Sequence, residues 1–379
     1  MHVEQVTWTA AGGWAPHPLG ELGETAQLAL VFAAPDILMQ PHLLADVRAA
    51  YPHAHLLGCS TAGEIAGTAV SDDSLTVTAV AFEHTRVAGT RVDVSDPSTS
   101  FAAGVQLASQ LPTEDLVHVF VLSDGLSVNG SELVRGITSH LPPHVTATGG
   151  LSGDGSRFAA TYVLWDDEPR DHQVAAIGLY GTRLRVGYGS LGGWDSFGPE
   201  RLVTKSRGNI LYELDGRPVL DLYKMYLGEH AQGLPATGLL FPLNVRMPES
   251  AQPVVRTILG VDEDSRSLIF AGDVPEGSYA RLMKANFDRL IDGAAGAARS
   301  TQVGLANSAP DLAILISCVG RKMVLKQRVE EEVEGVRQVL GQRPVLTGFY
   351  SYGEISPFTP NARCELHNQT MTITTLCED

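Results

Sequence analysis

The sequence predicts a mixed α/β (α+β) fold in two related domains, each a mixed β-sheet flanked by helices. Three observations predict it. Short apolar runs alternate with helical patterns, the 379 residues exceed the roughly 100–200 of a typical domain, and a Gly-Glu-Ile turn is written once in each half. The two sheets would stack as a layered sandwich or share an interdomain cleft.

In chain order, strand-like runs come first: LTVTAVAF (75–82), VHVFVL (117–122), ATYVLW (160–165), QVAAIGLYG (173–181) and LRVGYGSL (184–191). Gly181-Thr182 reads as a tight hairpin turn between the last two. Residues 192–208 are rich in Gly and polar side chains, which places a domain boundary near 195 and defines domains 1–195 and 196–379. Beyond it the pattern turns helical. RPVLDLYKMYLG sets Pro218 at a helix start, aligns Val219, Leu222, Tyr223 and Tyr226, and stops at Gly228. Residues 278–298 carry Met283, Phe287, Leu290, Ile291 and Ala294 at helical spacing, and KQRVEEEVEGVRQVLG does likewise with Val329, Val333, Val336 and Leu340.

Composition narrows the function. A net charge of -16, from 27 basic and 43 acidic residues, offers no basic face to nucleic acid or to an anionic membrane surface. The longest apolar runs, such as LAILISCVG, are about half the ~20 residues that span a bilayer, and MHVEQVTWTAAGG shows no secretory signal, so a cytoplasmic protein is expected. Four dispersed cysteines form no disulfide framework, and C-x-x-C and H-E-x-x-H are both missing, so no metal site is expected. Cys364 and His367 make a C-x-x-H whose odd offset sends the side chains to opposite faces of a strand.

The two turns carry the chemistry. In LLGCSTAGEIAG, Cys59, Ser60 and Thr61 follow Gly58 with small polar groups before Gly63 and Glu64; such a loop exposes backbone N–H groups and hydroxyls together, as a small polar ligand requires, or is a plain tight turn. In LTGFYSYGEISP, Gly348, Ser351, Gly353, Glu354 and Ile355 align without a gap with Gly58, Thr61, Gly63, Glu64 and Ile65. Between them the second copy has Phe349, Tyr350 and Tyr352, as pocket wall or core filling. Glu64 and Glu354 either brace the turns through backbone N–H groups or face a ligand ammonium.

Three further stretches qualify. ATGGLSGDGSRF (147–158) presents Ser152, Asp154 and Ser156, but has neither the G-x-G-x-x-G of a dinucleotide loop nor the G-x-S-x-G of a nucleophile elbow. Ser123-Asp124-Gly125 ends a strand ahead of a helix starting near Asn129 or Ser131; Asp124 is a ligand contact at a strand end or a turn residue. In ELHNQTMTITTL, strand alternation sets His367, Gln369, Met371 and Ile373 on one face, so His367 is a buried core histidine or a cofactor ligand.

Together GCSTAGEI, TGGLSGDG, DGRPVLDLYKMYLG, SCVGRKMVLKQRVEEEV, TGFYSYGEISPF and LHNQTMT resemble the FIST family, with a FIST N-terminal domain in 1–195 and a FIST C-terminal domain in 196–379. The resemblance implies a sensory module of prokaryotic signal transduction that binds a small polar, amino-acid-like ligand. It would act on a separate effector. Some stand-alone bacterial members resemble haem-containing nitric-oxide sensors whose partner is a histidine kinase or a cyclic-di-GMP enzyme; if this chain bound haem, His367 would be the axial ligand to test first. Three classes follow: a ligand sensor without catalytic activity or cofactor, a protein-interaction scaffold, and an enzyme using Cys59, Ser60 or Asp154, which would need a His beside its nucleophile. The sensor reading ranks first, its ligand held by Cys59, Ser60, Thr61, Glu64, Asp124, Ser152, Asp154, Tyr350, Ser351, Tyr352 and Glu354 at or near the domain interface.

Overall fold

The computed structural model describes residues 1–247, 253–305, 308–358 and 362–379. The fold is mixed α/β, with mixed sheets flanked by helices. Its strands form four sheets, and three of these repeat one plan.

Each repeat is a strand, a helix, a second strand parallel to the first, a short arm, and an antiparallel return strand. The first repeat uses Leu28–Ala33, helix Pro41–Ala50, His55–Ser60, arm Glu64–Ala66 and return Ser74–Ala81. The second uses Leu116–Ser123, helix Gly130–His140, Thr146–Leu151, arm Val163–Trp165 and return Gln173–Tyr180. The third uses Leu312–Cys318, helix Val329–Leu340, Val345–Ser351, arm Gly353–Pro357 and return Met371–Glu378. An outer strand joins each return strand: His2–Thr9, Arg86–Asp93 and Leu184–Leu191 respectively.

The arms leave their own sheets. The first arm pairs with Val345–Ser351, the third with Thr146–Leu151 and the second with His55–Ser60, so the exchange closes in a ring. The register repeats as well: Ile65 lies opposite Gly348, Ile355 opposite Gly149, and Leu164 opposite Gly58. A Cβ at any of these three glycines would overlap a carbonyl oxygen of the neighbouring parallel strand, at Val31, Val121 or Leu315. Glycine is required there by close backbone approach.

Alternation along the first strand of each repeat fills two cores. Leu30 and Phe32, Phe120 and Leu122, and Ile314 and Ile316 point inward and meet in one apolar centre shared by all three sheets. Val31, Val121 and Leu315 point outward beneath the helices. Strands buried on both faces read as continuous apolar runs, which is why they stand out in the sequence.

Residue 195 does not separate sheets. Gly181-Thr182 is no hairpin: Gln173–Tyr180 stays in the second sheet, whereas Leu184–Leu191 pairs with Met371–Glu378 in the third. Past 195 the chain builds a fourth, antiparallel sheet in place of the helical pattern expected at once. Its path begins at Val254–Arg256 and ends at Ile258–Asp262, two segments joined through Thr257, so the sheet closes into a small barrel. Helix Val219–Leu227, expected from its stripe, packs Leu220, Leu222 and Tyr223 into the barrel core. The helix expected over 278–298 is instead a barrel strand, Tyr279–Lys284, followed by helix Phe287–Thr301; Met283 belongs to the strand, and Phe287 is exposed. The single strand expected over 365–376 turns at 368–370, with Gln369 at φ 64, so its alternation is broken there.

Two outcomes follow. A fragment of residues 1–195 expressed alone will not show a cooperative melt, because its arm Glu64–Ala66 and its strand Leu184–Leu191 lack their sheet, and mixing in 196–379 will restore one. Gly58→Ala, Gly149→Ala and Gly348→Ala will each destabilise by about 3 kcal/mol or more in urea titrations. Gly260→Ala, whose Cβ meets only ordinary contacts, will cost about 1 kcal/mol or less.

Candidate functional site

The loops between the second strand and the arm lie at the same end of all three repeats, and they are stitched together. Ala62 N–H donates to Tyr350 O (2.9 Å) and Tyr350 N–H to Gly63 O (2.8 Å). Gly153 N–H donates to Ser60 O (2.9 Å), and Tyr352 N–H to Leu151 O (3.2 Å). Cys59, Ser60, Thr61, Glu64, Ser152, Asp154, Tyr350, Ser351, Tyr352 and Glu354, the turn residues singled out in the sequence, therefore form one buried cluster.

The two glutamates hold equivalent places. Glu64 accepts from the hydroxyl of Thr61 and from Ser74, both Oγ (2.5 Å) and N–H (3.3 Å), at the start of the return strand. Glu354 accepts from Ser351 Oγ (2.7 Å) and from Thr370 Oγ1 (2.9 Å) and N–H (3.1 Å). Each braces its turn against its own return strand through hydroxyls as well as backbone. Burial pushes the Glu64 carboxyl up to about 7 and that of Glu354 up to about 8, against these hydrogen bonds, which favour the ionised form.

In the second repeat aspartates do the bracing. Asp124 accepts from the N–H groups of Leu126 (2.8 Å), Ser127 (2.7 Å) and His172 (3.0 Å), which joins the first strand's end to the return strand. Asp154 accepts from the N–H groups of Phe158 (2.9 Å), Ala159 (2.8 Å) and Ala160 (3.1 Å) and from the Tyr352 hydroxyl. Ser152 Oγ donates to Ser123 O at 2.9 Å, as Ser351 Oγ does to Ser317 O at 3.3 Å. The expected aromatic wall is present but covered: Phe158 stacks on Tyr352 with ring centroids 4.9 Å apart, and Tyr350 donates to Glu332 at 2.7 Å.

Sequence reasoning missed what surrounds Tyr350. Arg321 and Glu332 form a fully buried ion pair (2.7 Å) beneath it, and Ser317 Oγ donates to the same carboxylate at 3.1 Å. Lys322, next in the chain, reaches the carbonyl of Ala62 (2.8 Å) and pairs with Asp72. The signal was an arginine and a lysine directly after an apolar strand, in SCVGRK.

His367 lies at the edge of the cluster. Its Nε2 is hydrogen-bonded to Ser356 O (2.8 Å), its ring lies against Phe358, and burial pushes its pKa down to about 4. With Nε2 committed to a backbone carbonyl, Nδ1 is the ring nitrogen left for a metal. The neighbouring residues anchor the barrel instead: Arg256 donates to Leu366 O (3.0 Å), Thr257 N–H to Asn368 Oδ1 (3.3 Å), Gln369 Nε2 to Leu239 O (2.9 Å) and Trp194 Nε1 to Gln369 O (3.1 Å).

Burial drives the Cys59 thiol well above its usual range, and Ser60 Oγ accepts from Tyr162 N–H at 2.9 Å. No histidine bonds to Cys59, Ser60 or Asp154 among the described residues, and no group of three or more metal-ligating side chains converges there either. Cavities of 360 to 480 Å³ lie elsewhere: below helix Pro41–Ala50, between Val117 and Tyr188, and beside Gln27 and Phe82.

The comparisons with known proteins agree with these motifs. Residues 27–217 match the FIST N domain and residues 220–357 the FIST C domain, so the chain belongs to the FIST family, whose domains are associated with sensing in signal transduction. An uncharacterized protein of Mycobacterium tuberculosis (strain H37Rv) is 27% identical over 368 residues, covering 92% of this chain and 91% of its own length. Another, from Methanocaldococcus jannaschii, is 23% identical over 312 residues, covering 75% of this chain and 58% of its own. Among solved structures a cyanuric acid hydrolase aligns over 78% of this chain and 69% of its own at 9% identity, with a TM-score of 0.26, too low to bear on fold or chemistry. No helix of the described residues is long and apolar enough to cross a membrane.

The glutamates predict a pH dependence. Their folded values exceed the ordinary 4.5, so between about pH 4.5 and 8 the native chain holds more protons than the unfolded one. Their stabilising contribution is complete below about 4.5 and is lost as pH rises through 7 and 8. The wild-type melting temperature will fall from pH 6 to pH 9 more steeply than that of the Glu64→Gln/Glu354→Gln double variant.

Proposed function

We propose that this chain is a small-ligand sensor in which the cluster of three turns receives a small polar, amino-acid-like compound and the barrel reports its arrival to a separate effector. The observation that carries this reading is the convergence itself: hydroxyls, carboxylates and tyrosines from three repeats meet at one place. The cluster also has a route outward. Glu354 accepts from Thr370, and the adjoining residues 366–369 bear the hydrogen bonds that hold the barrel. A ligand that altered the protonation or partners of Glu354 would act on the barrel's anchor through Thr370 and the adjoining Gln369 and Asn368.

Binding rather than catalysis is favoured by the protonated, buried Cys59 and by the lack, among the described residues, of a base hydrogen-bonded to Ser60. Four unpaired cysteines favour a reducing, cytoplasmic setting. A histidine kinase or a cyclic-di-GMP enzyme is the kind of effector such a sensor would address.

The test is a melting-temperature panel of amino acids, amines and small hydroxy acids on the full chain. One or more compounds will raise the melting temperature by about 2–5 °C at saturation. Asn368→Ala will preserve that shift while weakening the protection of barrel amides from hydrogen exchange. A broad panel without any shift would overturn the sensor reading.

A further inference from the structure

Lys322 reaches the turn cluster from its solvent side. Lys322, on helix Val319–Leu325, donates through Nζ to the carbonyl of Ala62 (2.8 Å), pairs with the carboxylate of Asp72, and lies 5.5 Å from the centroid of the Tyr350 ring. A carbonyl, a carboxylate and an aromatic face are the three kinds of group by which proteins recognise an ammonium. The adjacent backbone makes room for it: Gly63 has φ +133, and a Cβ there would overlap Nζ.

The position joins two repeats. Ala62 and Gly63 belong to the first turn and Tyr350 to the third, and their backbones are bonded to each other directly behind the ammonium. The helix itself is held by Arg321, whose guanidinium grips the buried Glu332 and the carbonyl of Leu290 (2.7 Å). The Lys322 side chain is 17% exposed and that of Asp72 71% exposed, so their ion pair stands at the border between the cluster and solvent. The outer wall of the site therefore opens to water while the inner wall is fixed.

We propose that this is the ligand's ammonium site, held in the free protein by the chain's own lysine: a small primary alkylammonium compound enters where Nζ lies and displaces it. The inference rests on the reading of the turn cluster as a sensing site. Lys322 is an internal competitor, so apparent affinity is reduced by the fraction of time it occupies the site, and a response requires the ligand to exceed that threshold. Displacement replaces a tethered charge beside Glu64 and Tyr350 with a free one, at the seam between the first and third turns.

The test removes the competitor. In full-length Lys322→Ala, n-butylammonium chloride will raise the melting temperature saturably relative to sodium chloride of equal ionic strength, by about 2 °C at tenfold its dissociation constant. Butanol and tetramethylammonium will not, because one lacks the charge and the other the N–H donors. Lys322→Met, whose stem takes the place of the lysine's, will show no amine-specific shift, and adding Asp72→Asn to Lys322→Ala will weaken the amine at least about threefold. If Lys322→Ala does not fold, Lys322→Ser carries the same comparison. A folded variant that melts identically in n-butylammonium and in sodium chloride overturns the inference. Should that happen while a metabolite without an amine shifts the wild type, this inference falls and the sensor reading stands; if the metabolite panel fails too, both fall.

Discussion

The structure depends on a close crossing of backbone at three glycines. Gly58, Gly149 and Gly348 each lie against a carbonyl of the parallel strand beside them, and each faces an apolar arm residue supplied by another repeat. Because the arms pass from first repeat to third, third to second and second to first, no repeat completes its sheet alone. The exchange also carries the polar loops that follow the glycines into one place. The turn cluster is thus a consequence of how the sheets close, and every polar side chain buried in it must find a partner there.

The polar groups meet that demand in two ways. Glu64 and Glu354 are carboxyls whose pKa burial raises, held between a turn hydroxyl and a return strand. Glu332 is instead matched by Arg321, and the pair sits under Tyr350, which completes the carboxylate's hydrogen bonds. Removing one member of such a pair costs far more than the pair contributes, so Arg321 and Glu332 fix the helix from which Lys322 extends. The buried ion pair on one side and the partly exposed Lys322 on the other make this a part of the cluster that borders solvent.

Much of this was legible in the sequence, for identifiable reasons. Strands such as Leu116–Ser123 and Leu312–Cys318 stand out because both faces are buried. The two Gly-Glu-Ile turns align because their glycines and isoleucines occupy equivalent register positions. The third copy was hidden: seven residues separate Gly58 from Ile65 and Gly348 from Ile355, but fifteen separate Gly149 from Leu164, and an aspartate network replaces the glutamate. The ring of arms was not legible, since nothing local in Glu64–Ala66 says that its partner strand lies some 280 residues away. The Gly181-Thr182 turn misled for a related reason: two well-formed strands joined by a short turn look like a hairpin whether or not they share a sheet. Leu366, Asn368 and Gln369, around His367, anchor the barrel, a role that only the folded chain reveals.

The most direct test of the central claim is native-state hydrogen exchange at the three arms. If the exchange of arms is one closed lock, amides in Glu64–Ala66, Val163–Trp165 and Gly353–Pro357 will open with the same free energy, equal to that of global unfolding, and will respond together to low denaturant. An arm that exchanges by an independent, cheaper opening while the other two remain protected would contradict the account.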